Sequence, residues 1–209
     1  MSLVGALTPL GKAAPKYWMR SAVAYTVAGC VSAASVGALL GLIGQWLASA
    51  TALDCVVPLA LILAAREWGL IHFRLPECNR QTKKGWANEF GFAMASAMWG
   101  LHIGLGFATR ITYGGFLVLV AMAIAVGQPA YGAVLLLMYW VGRTMPVWLV
   151  PELIWQGQAA EELPSAILAS RDIYRRLVGL ALLWSAGVAT LISLHTPSAW
   201  IFKLIGGLR

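Results

Sequence analysis

Residues 90–126 read FGFAMASAMWGLHIGLGFATRITYGGFLVLVAMAIAV, and Arg110 is the one Lys, Arg, Asp or Glu among them. An apolar run of this length decides the fold class, because a soluble domain needs charge to cover its surface. About 20 apolar residues cross a bilayer as a helix, and this block holds nearly twice that number. One straight crossing does not account for it. The interruption Thr109, Arg110, Thr112, Tyr113, Gly114, Gly115 predicts a third membrane segment that is either one long tilted helix or a helix broken near 110–115.

The same pattern extends in both directions. Downstream, the turn Gly127-Gln128-Pro129 leads into a fourth span over 130–150, with Arg143 inside it. Pro146 is expected to bend that span, since proline has no N–H and leaves the carbonyl of Gly142 without its usual partner. A mixed-charge loop is predicted over 152–176, carrying Glu161, Glu162, Arg171, Asp172, Arg175 and Arg176. A fifth span over 177–195 and a short basic tail at the interface complete the chain. Upstream, a second span covers 53–73, with Asp54 at its start, Pro58 in its first turns, and Arg66 and Glu67 near its far end. Those two charges are read as snorkelling to the interface in preference to forming a buried pair. Pro76 is expected to break this helix, within a polar loop over 74–89. The first span covers 20–48, where Gly29, Ala33, Gly37 and Gly41 recur every fourth residue and line a groove for close helix packing.

Composition agrees with a chain solvated by lipid. Of its 209 residues 60% are hydrophobic and only 11% charged, against about 25% in ordinary soluble domains. Ten Trp and six Tyr suit the headgroup level, where amphipathic rings gather. The expectation is therefore an all-α, polytopic integral membrane protein, a single transmembrane domain over 1–209 with about five transmembrane helices. The net charge of +7 does not indicate nucleic acid, because the basic residues sit between apolar blocks, as cytoplasmic loops require. Lys12, Lys16, Arg20, Arg74, Arg80, Lys83, Lys84, Arg171, Arg175 and Arg176 fall on one side of a five-span topology, and Lys203 and Arg209 on the other. This places the N-terminus in the cytoplasm and the C-terminus outside, in what reads as a bacterial cytoplasmic membrane. A re-entrant pair in the third block would reverse the C-terminus. Residues 1–19 have their lysines after a weak apolar start, the wrong order for a cleaved leader.

The residues of most chemical interest are charges that do not easily reach water. A charge near mid-membrane costs at least about 2.5–3.5 kcal/mol, so Arg110 and Arg143 call for a partner or a wet cavity. On a continuous helix His102, Gly106 and Arg110 share one face, while Ser96, Gly100, Gly104 and Ala108 repeat on nearly the opposite face and would pack tightly. Tyr139 and Arg143 share a face of the fourth span. Two readings stand. In one, Arg110, Arg143, His102, Tyr139 and Glu67 are candidates for an anion path. In the other the arginines are structural, capping broken helices, snorkelling, or pairing with Glu67 or Glu152, and His102 is a satisfied core histidine. Cys30, Cys55 and Cys78 form neither a CxxC pair nor a zinc spacing. No hydrolase, P-loop, zinc-protease or dinucleotide motif is present. The expectation is no enzyme, no catalytic residue, no metal and no cofactor.

The run RSAVAYTVAGCVSAASVGALLGLIG (20–44), together with GLGFATRITYGGFLVLVAMAIAVGQPAYGAVLLLMYWVGRTMPVWLV (104–150), resembles the CcdA/DsbD-like family of membrane thiol–disulfide carriers. In both, an apolar broken helix leads through a short Gly/Pro turn into a span ending with Gly and then Pro. The resemblance implies the helical scaffold, with a break near Arg110. It does not imply the dithiol relay, because Thr109 and Arg110 stand where the family places Pro-Cys, and none of the three cysteines falls at a matching position. Three functions follow as expectations: transport of a small anion; an accessory subunit of a larger membrane complex, or a homo-oligomer, using the small-residue ridges; and a thiol relay through Cys55 or Cys78. The lipid bilayer is the partner common to all three.

Overall fold

The structure, a computed structural model, describes residues 14–47, 52–75, 86–106, 113–155 and 171–195. Every regular element among them is a helix: α1 (Pro15–Leu47), α2 (Ala52–Glu67), α3 (Trp86–Phe90), α4 (Phe92–Gly104), α5 (Gly115–Val126), α6 (Pro129–Trp155) and α7 (Arg171–His195). The all-α class expected from the sequence is thus present. Among the described residues two stretches, Pro15–Leu47 and Pro129–Leu149, are long and apolar enough to cross a membrane, and Gly115–Val126 is apolar but shorter.

Local chemistry explains most boundaries. Pro15 and Pro129 open their helices at the first position, where a missing N–H costs nothing. The end of α2 corrects the expectation of a helix running to 73. Gly69 takes a left-handed conformation with φ 79°. The N–H of Leu70 then donates to the carbonyl of Ala65 and that of Gly69 to Arg66, the paired bonds of a Schellman stop. It is therefore Gly69, not Pro76, that ends the helix. The segment expected to be loop over 74–89 contains the short α3, and residues 76–85, with Cys78, lie outside the described residues.

The long apolar block is two helices and not one. α4 stops at Gly104, Gly106 has φ 73°, and α5 starts at Gly115. The continuous helix on which His102, Gly106 and Arg110 would share a face is therefore interrupted, since Gly106 is already out of α4. Arg110 itself lies outside the described residues. α6 runs through Pro146 and on to Trp155, so 152–155 are helical where a loop was expected. α7 likewise begins at Arg171 and not at 177. Its buried positions Gly179, Leu182, Ala186 and Ala189 follow a 3–4 spacing that extends back to Arg175.

Contacts group the chain into two units. The first takes residues 1–36, 77–110 and 136–171. Here Gly100 lies against the Tyr25 backbone, Gly104 against Gly29, and Gly29 against the indole of Trp140. Trp140 is fully buried, and its Nε1 donates to the Thr26 carbonyl at 3.0 Å. Trp148 Nε1 donates to Thr26 Oγ1 at 3.1 Å, and Ser32 Oγ to the Leu101 carbonyl at 2.8 Å. The expected packing face of Ser96, Gly100 and Gly104 is thus buried; Ala108 lies outside the described residues.

The second unit takes residues 37–76, 111–135 and 172–209. Val56, Ala60, Leu63 and Ala64 of α2 pack with Val118 and Ala125 of α5 and Leu182, Ala186 and Ala189 of α7. Gly37 and Gly132 meet backbone to backbone, and Gly41 and Gly44 lie against the backbone at Gln128 and Ile124. Three of the four residues of the predicted α1 groove, Gly29, Gly37 and Gly41, touch another helix this closely, and Ala33 is buried.

Outward faces are apolar as well. Tyr131, Val134, Met138, Val141, Met145 and Leu149 form an exposed row along α6, and Val23, Val27, Val31 and Leu39 another along α1. A helix in water reserves that side for charged residues.

Candidate functional site

Among the described residues, a cluster of buried and half-buried charges lies in the second unit, where α2 ends. Glu67 continues the buried α2 row Val56, Ala60, Leu63, and its side chain is only 1% exposed. The expected snorkelling of Glu67 is therefore corrected: the helix turns its carboxylate inward. A buried carboxylate needs compensation, and this one has three sources. Arg66 Nη1 donates to Oε1 at 2.6 Å, the Gly114 N–H donates to the same oxygen at 3.1 Å, and Arg175 Nε lies 3.7 Å from Oε2. Gly114 immediately precedes α5, so the carboxylate also faces the positive end of that helix.

Both guanidinium groups are held by further contacts. Arg66 Nε donates to the Phe73 carbonyl at 3.0 Å and its guanidinium lies 5.6 Å from the Phe73 ring centre. Arg175 Nη2 donates to the Arg66 carbonyl at 3.1 Å. Two open clefts flank the cluster. One, of about 410 Å³, is lined by Glu67, Trp68, Asp172, Arg175 and Arg176. The other, of about 330 Å³, is lined by Arg66, Ile71, His72, Phe73, Arg74 and Arg175.

The remaining candidates are distributed as follows. In the first unit Arg143 is half-buried and its Nη1 donates to Tyr139 Oη at 3.2 Å, which realises the shared face read from the sequence. His102, on α4, has a buried Nδ1 without a hydrogen-bond partner among the described residues, and its ring meets Trp86 edge-on at 6.4 Å. Glu67 belongs to the second unit, and its described partners are Arg66 and Arg175. Cys30 is half-buried and Cys55 exposed, and both are free thiols.

Arg175 is not among the sequence candidates, because the charges of 171–176 suggest a loop. The signal was present: Arg175, Gly179, Leu182 and Ala186 keep helical spacing, so the buried face of α7 points back to Arg175. Likewise the row Val56, Ala60, Leu63, Glu67 shows that Glu67, and not its neighbour Arg66, sits on the core side of α2.

Compared with known proteins, the chain finds no match: no family model, no curated protein and no solved structure corresponds to it.

Proposed function

We propose that this chain is a polytopic integral membrane protein with about five crossings and a cytoplasmic N-terminus, and that it passes a small anion across the membrane. Arg143 carries this reading. It sits within the stretch of α6 that is long and apolar enough to span a bilayer, half-buried and hydrogen-bonded to Tyr139. A cation kept at such a place costs at least about 2.5–3.5 kcal/mol in lipid, an expense that an anion-handling role explains. The outward apolar rows on α1 and α6 support the membrane part of the proposal, because lipid is the solvent that suits them. The scaffold is read as CcdA-like without the dithiol relay, and Arg110 joins the path on its sequence position alone.

The test is anion uptake into liposomes carrying the purified protein, with Arg143→Ala and Arg143→Lys variants. Uptake above that of empty liposomes, lost in Arg143→Ala and partly kept in Arg143→Lys, is the expected result. Equal uptake by all three proteins would overturn it. A second reading, an accessory subunit, is favoured by Gly142 and Gly187, which have open space where a side chain would begin and offer a neighbouring backbone a close approach. A stoichiometric partner after mild detergent extraction would support that reading.

A further inference from the structure

The cleft of about 330 Å³ beside Arg66 has an unusual lining: three arginines (66, 74 and 175), a histidine and, among the described residues, no carboxylate. Glu67 lies behind this wall, 1% exposed, and neutralises one of the three charges. Two positive charges remain, before any contribution from His72. The arginines are also pre-positioned. Arg66 is fixed by Glu67 and by the Phe73 carbonyl, and Arg175 by the Arg66 carbonyl. Those bonds leave Nη2 of Arg66 and Nη1 of Arg175 without an acceptor among the described residues. A planar guanidinium held in place in this way presents a donor fork that matches the oxygens of a phosphate.

The surroundings narrow the ligand further. Trp68, Leu70, Ile71, Phe73 and Tyr174 are all exposed near the basic groups. Exposed aromatic and apolar side chains beside arginines make the composition of the headgroup level of a bilayer, where rings and basic side chains gather. We propose that this cleft binds a phosphate group, with an anionic phospholipid headgroup as its first source and free phosphate as the second. The site shares no residue with the Arg143 reading and does not depend on anion passage, although its lipid source rests on the chain residing in a membrane.

The test uses the full-length protein in mild detergent and follows its thermal unfolding midpoint by tryptophan fluorescence. Phosphatidylglycerol, phosphatidylcholine and inorganic phosphate are titrated separately, the last against chloride of equal ionic strength. Phosphatidylglycerol should raise the midpoint saturably where phosphatidylcholine does not. Arg74 is exposed and makes none of the hydrogen bonds to the Glu67 cluster, so Arg74→Gln should unfold normally without lipid. It should bind phosphatidylglycerol about tenfold more weakly, the loss of one charged hydrogen bond, and Arg74→Lys should recover part of the difference. A shift with inorganic phosphate alone would keep the phosphate chemistry and assign a soluble source. Equal shifts with both lipids, no shift with any ligand, or an unchanged response in Arg74→Gln would overturn the proposal. Alkaline carbonate extraction of the source membranes checks membrane residence separately.

Discussion

Glu67 Oε1 lies 3.1 Å from the backbone nitrogen of Gly114, 47 residues further along the chain. One carboxylate thus joins the end of α2 to the start of α5 while holding Arg66 and facing Arg175. Removing it with Glu67→Ala leaves two guanidinium groups side by side and a buried N–H unpaired. The expected loss is roughly 3 kcal/mol, the usual order for breaking a buried ion pair. Glu67→Gln keeps an acceptor for Gly114 and should lose less. Thermal midpoints of the two variants in the same detergent check the order.

Glycine contacts divide by what the added methyl would strike. At Gly37 it meets the backbone carbonyl of Gly132, whereas at Gly29 it meets the Trp140 side chain. A side chain can be replaced and a helix backbone cannot. Both Gly37→Ala and Gly29→Ala should cost on the order of 1–3 kcal/mol or more by overpacking. Only Gly29→Ala should be rescued by a second change, Trp140→Leu. Gly142→Ala and Gly187→Ala, with open space around them, should leave the isolated protein unaffected. Midpoints for the set, measured side by side, decide the matter.

A charge on an outward face separates lipid from water as solvent. Met138 is 66% exposed on α6 and Trp184 74% exposed on α7. In a membrane, Met138→Asp and Trp184→Asp should cost up to about 2.5–3.5 kcal/mol each, depending on depth, and lower the amount of inserted protein. In water the same changes fall within about 0.5 kcal/mol. Yield in the membrane fraction, beside Met138→Leu as control, is the readout.

The five crossings proposed above would place the two ends of the chain on opposite sides of the membrane. A reporter active only in the cytoplasm should work at the N-terminus and fail at the C-terminus. Activity at both ends would show an even number of crossings and an inward-returning α4–α5 region.

The helices were legible because apolar length and Gly/Pro punctuation are local signals. The start of α5 at Gly115, the start of α6 at Pro129 and the close contacts of Gly29, Gly37, Gly41, Gly100 and Gly104 can all be read from spacing, whereas the end of α4 at Gly104 comes earlier than the interruption at 110–115 suggests. The polar cluster was read less well. Glu67 stands among the sequence candidates, but its pairing with Arg66 ranks there below snorkelling, and Arg175 is not among its expected partners. In the structure both arginines meet it, Arg66 from next door in sequence and Arg175 from the start of α7. Charge content makes 171–176 look like a loop, although the first turns of α7 carry these residues without losing the buried face. Adjacent charges are also easy to treat alike; on a helix they point about 100° apart, so Arg66 stays at the edge while Glu67 goes inside.

The lengths of α4 and α5 bear on how these helices are seated. With 13 and 12 residues, each extends about 18–20 Å at 1.5 Å per residue, short of a hydrocarbon layer of about 30 Å. In the membrane proposed above, neither would be a complete crossing by itself. α5 would then depend on its neighbours, and the Gly114 N–H at its start already has an acceptor in Glu67, which precedes it in the chain. An earlier helix thus supplies the seat for a later one, and a chain lacking α2 would leave the start of α5 without that acceptor.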